Sequence, residues 1–176
     1  AFREFLDVLS KAHLFDGMTI EEISSVCSKL AMYKYSENEV LLEQGKPTDT
    51  FFIVFSGTVK IYVAKGLFRQ PTEVARVHCG GILGEMAMVT GDKCTATVVA
   101  ARDVKVFAGD KSLFDELIST NKSFAATMEG LLRERDNAVA AHQMQEHLDE
   151  EDSEEPEELV DEPDEYEART IFAPRK

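Results

Sequence analysis

The spacing of apolar residues changes period twice along this chain, and that double switch limits the architectures open to it. Phe2, Phe5, Leu6 and Leu9 fall at i, i+3, i+4 and i+7, the stripe of a short helix that ends by Gly17. Thr19-Ile20-Glu21-Glu22 then reads as a capping box opening a second helix, whose face continues through Ile20, Ile23, Val26, Cys27 and Leu30. After Tyr35 the period becomes two. Strands are expected at 40–42, 51–55, 59–63, 95–101 and 104–108, between turn signals such as Gly45-Lys46-Pro47-Thr48-Asp49, Ser56-Gly57, Lys65-Gly66, Gly80-Gly81 and Gly91-Asp92. From Lys111 the helical period returns, with Leu113, Phe114, Leu117 and Ile118 on one helix. Phe124, Met128, Leu131 and Leu132 mark another, and its stripe fades after Arg135. The expected body is α+β, a compact antiparallel sandwich or barrel between pairs of helices.

Charge divides the chain differently. Residues 149–167 are nineteen in number, thirteen of them Asp or Glu and none Lys or Arg, whereas residues 1–148 hold twenty acids against sixteen bases. We therefore expect a nearly neutral domain over 1–148 and an acidic tail over 149–176. Such a tail has too little apolar surface to offset its ordering entropy, so it is expected to be disordered until a protein partner with a basic surface orders it. A net charge of −14 repels nucleic acid and anionic lipid, and no run of apolar residues is long enough to cross a bilayer. The opening Ala1-Phe2-Arg3-Glu4 lacks both an initiator Met and a charged-then-apolar leader, the expectation being a piece of a longer multidomain protein. Cys27, Cys79 and Cys94 form no metal-binding or disulfide spacing, so free thiols in a cytoplasmic setting are expected.

Enzyme signatures are missing: there is no G-x-S-x-G elbow, no H-E-x-x-H and no phosphate loop of Walker spacing, and catalysis is not expected. His13, His78, His142 and His147 are too scattered for a metal site. One stretch stands apart: a glycine turn at Gly80-Gly81, then Gly84-Glu85-Met86-Ala87-Met88 as a short helix, a turn at Gly91-Asp92, and Lys93-Cys94-Thr95-Ala96 leading into a strand. Free amides at the start of that helix suit an anion, although glycines serving only the geometry of a barrel turn would give the same pattern.

These segments together resemble the cyclic nucleotide-binding domain family. The resemblance runs from about Phe5 to about Leu132 and rests on Glu43 to Tyr62, on Gly84-Glu85-Met86-Ala87-Met88 and on Ala96-Thr97-Val98. It implies an eight-stranded antiparallel β-roll, jelly-roll-like, flanked by N-terminal and C-terminal helices, with the last helix moving as a lid. It also implies a phosphate-binding cassette over 80–96, in which Glu85 holds the ribose 2′-hydroxyl and Gly84, Met86 and Ala87 offer amides to the cyclic phosphate. At the family's phosphate arginine this chain has Cys94, between Lys93 and Thr95. Lys93 reads as a solvated turn residue and Cys94 as a small packed one, while Thr95 stands where cGMP-preferring relatives place a hydroxyl. With the arginine absent, Glu85 is expected to face a pocket without a basic neighbour. The implied module is regulatory, holds no cofactor tightly, and takes a cyclic nucleotide (cAMP or cGMP) or nucleoside weakly through Gly84, Glu85, Met86, Ala87, Lys93, Cys94, Thr95 and Ala96. The alternative is a ligand-free scaffold that binds protein partners through its helices and tail.

Overall fold

The computed structural model describes residues 2–12, 14–65 and 70–151. Two helices, α1 (Phe2–Ala12) and α2 (Ile20–Lys29), precede strands β1 (Ala31–Tyr35), β2 (Val40–Leu42), β3 (Thr50–Ser56), β4 (Thr58–Val63), β5 (Thr72–His78) and β6 (Ile82–Leu83). A short helix α3 (Glu85–Thr90) interrupts the strands, β7 (Thr97–Ala100) and β8 (Val104–Asp110) complete them, and α4 (Lys111–Thr120) and α5 (Lys122–Glu151) close the order. The eight strands form two antiparallel four-stranded sheets, in the orders β1-β8-β3-β6 and β2-β7-β4-β5, which is the β-roll that the resemblance implied.

β3 explains how the two cores are divided. Its run Phe51-Phe52-Ile53-Val54 is buried throughout because alternate side chains enter different clusters. Phe52 and Val54 face the interior of the roll with Leu42, Val59, Leu83, Val98 and Val106. Phe51 and Ile53 face the helices with Phe5, Leu9, Phe114, Phe124 and Met128. Gly109, opposite Phe51 in the β3–β8 register, leaves room for that ring, since a Cβ there would lie 2.5 Å from it. The Phe51, Phe114 and Phe124 rings follow one another edge to face at 5.4 and 5.6 Å and tie α4 and α5 to the roll.

The capping box forms as expected: the Thr19 hydroxyl accepts from Glu22 N, and Glu22 Oε2 accepts from Thr19 N at 2.7 Å. Three strands, β1, β5 and β6, lie outside those that the periodicity predicts, and β7 is shorter than expected. β1 and β5 carry no apolar alternation and lie largely exposed, so they owe their conformation to pairing with β8 and β4. β7 begins at Thr97 rather than Thr95, because Cys94 is engaged in a separate bridge to the loop at Lys46. The chain divides into two compact units, Ala1–Asp136 and Asn137–Lys176. The expected tail boundary at 148/149 lies within α5, and residues 152–176 of that tail are outside the described residues.

Candidate functional site

The cassette is hung on β3. The Gly80 amide donates to the Val54 carbonyl at 2.8 Å and Val54 N donates to the Gly81 carbonyl at 2.9 Å, after which β6 pairs with Phe52 and Ile53. The chain then turns sharply at Gly84, whose φ of +80° is strained for any L side chain and whose Cβ would come 2.9 Å from the Thr50 carbonyl oxygen. This turn starts α3 directly against the sheet and drives its first side chain, Glu85, inward.

Glu85 is 0% exposed, the single buried charged residue among the described residues. Its Oε1 accepts from Nη1 of Arg135, which also donates through Nη2 to the Ile82 carbonyl at 2.8 Å. Its Oε2 is buried without a hydrogen-bond partner among the described residues. Burial pushes the Glu85 carboxyl up, and although the Arg135 guanidinium and a backbone hydrogen bond pull the other way, burial prevails. The expectation that Glu85 has no basic neighbour is therefore corrected: α5 supplies one from fifty residues downstream. The available signal was positional, for Arg135 lies at i+4 from Leu131 and i+7 from Met128, on the stripe that the helix buries.

The other expected site residues divide into two groups. Gly84, Met86 and Ala87 stand with Glu85 at the start of α3, and the Thr95 hydroxyl reaches back to Met86 Sδ at 3.6 Å. Cys94, 8% exposed, points into the roll cluster with Leu42, Phe52 and Leu83, and Ala96 packs against the same cluster. Cys94 N donates to the Lys46 carbonyl at 2.9 Å and Gly45 N donates to the Cys94 carbonyl at 2.8 Å, so its main chain is committed to the loop. Burial pushes its thiol up, away from thiolate chemistry. Lys93 is exposed.

Besides the packing of Ile82 and Met88 against α4 and α5, two cationic side chains among the described residues join the cassette to the C-terminal helices. Arg135 grips Glu85 and Ile82 at one side, and Lys111, the first residue of α4, donates from Nζ to the Met88 carbonyl at 3.1 Å at the other. Beside Arg135 opens a cavity of about 370 Å³, walled by Leu131 and Arg135 of α5, Val77 and His78 of β5 and the turn at Gly80 and Gly81. That volume suits a small organic ligand.

Comparison with known proteins agrees with this geometry. The family described as Cyclic nucleotide-binding domain matches residues 33–121. A cAMP-dependent protein kinase regulatory subunit from Dictyostelium discoideum is 30% identical over 126 residues, 69% of this chain and 38% of the relative. The structure of a Thermus thermophilus catabolite activator protein superposes with a TM-score of 0.65 at 23% identity, covering 76% of this chain and 62% of that one. That of a cAMP-binding acyltransferase from Mycobacterium smegmatis gives 0.60 at 30% identity, covering 71% and 38%. The chain spans between 16% and 38% of the length of the first curated relatives it matches.

Proposed function

The chain belongs to the cyclic nucleotide-binding domain family, and from that premise we propose that it is a non-enzymatic regulatory module whose Glu85 pocket takes a nucleotide or nucleoside weakly and reports occupancy through α5. The observation that carries this reading is the Glu85 carboxylate: wholly buried, paired on one oxygen, and without a hydrogen-bond partner on the other among the described residues. A buried acceptor without a donor costs about 1–3 kcal/mol, and an arriving hydroxyl would recover it. Weak binding follows from Cys94, which gives a phosphate no charge-assisted partner where the family's arginine would stand; losing such a partner costs about 2–5 kcal/mol. Because Arg135 holds the same carboxylate, a ligand hydroxyl at Glu85 changes what α5 is attached to.

A second reading, a ligand-free scaffold, draws support from that same ion pair, in which Arg135 already occupies one oxygen of Glu85 without any ligand. In either case the acidic segment is proposed to engage a basic protein surface, within a larger cytoplasmic assembly. Calorimetric titration with cAMP, cGMP and their nucleosides, repeated on Glu85→Ala, separates the readings. A ligand-binding module shows saturable binding that the substitution removes; a scaffold shows none, and its partner binding survives the substitution.

A further inference from the structure

The cavity beside Arg135 is a basic one in an acidic chain. Among the described residues that wall it none is Asp or Glu and none comes from 83–96, so it stands apart from Glu85 and α3. Its two charged residues are Arg76 of β5 and Arg135 of α5, with His78 as a third basic side chain, in a protein of formal charge −14. The carboxylates paired with these arginines lie outside the wall. Glu73 accepts from Arg76 Nε at 2.5 Å and from its Nη2 at 3.4 Å, and Glu85 accepts from Arg135 Nη1. Arg135 Nη2 donates to the Ile82 carbonyl. A guanidinium has five N–H donors, and these contacts engage two on each arginine. The Gly80 and Gly81 amides are not available, because they already donate to the Val54 and His78 carbonyls. Leu14, Val77, Ile82 and Leu131 supply the apolar part of the wall.

We propose that this cavity is a second binding site, for a small organic anion whose apolar body lies against Leu14, Val77 and Leu131 and whose carboxylate or phosphate is held by the remaining N–H groups of Arg76 and Arg135. A guanidinium fork fits either oxyanion, and hydrogen bonds between ionised groups are about twice as strong as neutral ones. The apolar wall rewards an organic body that a bare inorganic ion lacks. A cavity of about 370 Å³ is near the lower end of the range for small-molecule sites, which fits a single ring or a short branched chain. No carboxylate on the wall opposes the anion, whereas a cation would face two positive charges. The proposal does not depend on what Glu85 binds, yet the two sites share Arg135, so an anion here draws on the guanidinium that holds the cassette.

Titration of the whole chain with phenylacetate, phenyl phosphate and the neutral 2-phenylethanol, followed by the amide resonances of Gly80, Gly81 and Thr127, tests this. At least one of the two anions should shift these amides saturably, at a concentration about tenfold or more below that needed by 2-phenylethanol, and the stronger of the two identifies the preferred oxyanion. Arg76→Gln, with its melting still cooperative, should weaken that anion about tenfold or more. Equal response to the neutral probe, no response to either anion, or saturable shifts confined to 84–96 overturns the proposal on the wild-type chain alone. An anion whose affinity survives Arg76→Gln unchanged overturns it as well.

Discussion

Arg135 donates to the buried carboxylate of Glu85 and to the Ile82 carbonyl with the two ends of one guanidinium, so a single side chain of α5 fastens both the first residue of α3 and the strand that precedes it. Its side chain is 25% exposed while Glu85 is 0% exposed, which makes the pair asymmetric: water reaches the cation but not the anion.

Arg135→Met should therefore be costly mainly through Glu85. Leaving a fully buried carboxylate without its cation costs about 3–5 kcal/mol, reduced toward about 2 by the partial exposure of the arginine. Urea unfolding should show this loss, and Arg135→Met combined with Glu85→Gln should recover part of it. If the double variant is as unstable as the sum of the single ones, the two residues are not coupled.

Restoring a cation in the roll should change ligand preference. Cys94→Arg is expected to strengthen cAMP binding by between about 30-fold and several thousand-fold, the range of one charge-assisted partner. The check is calorimetry on a variant whose melting is cooperative. A folded variant with unchanged cAMP affinity would remove Cys94 from the phosphate position.

The Glu85 carboxyl also links stability to pH. Its folded value is raised above the ordinary 4.5, chiefly by burial, so the native chain holds this proton more tightly than the unfolded chain does. The stability this group contributes is full below 4.5 and is lost as pH rises through the raised value. Relative to Glu85→Gln, the wild-type unfolding free energy should fall across that interval. A difference that is flat, or that rises, would mean that the Arg135 pairing outweighs burial.

Gly84→Ala should destabilise by about 1–3 kcal/mol, because the substituted residue keeps a φ of +80° and its Cβ meets the Thr50 carbonyl. Thermal melting measures it. A neutral result would mean that the β6–α3 turn can relax without moving Glu85.

Where the sequence was legible, side-chain burial and chain position carried the same information. The apolar run of β3 and the Thr19 cap depend on neighbours in sequence, and both are read from it directly. β1 and β5 escaped because exposed strands have no apolar alternation to display; hydrogen bonding to β8 and β4 makes them. At the site, Gly84 and Glu85 announce themselves through a local glycine pattern, and Cys94 is found by its place in that pattern. Arg135 is placed on the buried side of α5 by the stripe of Met128 and Leu131, but that stripe does not name Glu85, fifty residues upstream, as its partner.

Asn121 alone separates α4 from α5, closing the first helix through its amide and capping the second through its side chain. The helical pair consequently has one joint and two arms. Lys111 lies about 15 Å from that joint along α4, and Arg135 about 21 Å along α5, at 1.5 Å per residue. Lys111 grips the cassette from the far end of α4 and Arg135 from the fourth turn of α5, so displacing α3 by about 1 Å at Glu85 corresponds to swinging this part of α5 by only about 3°.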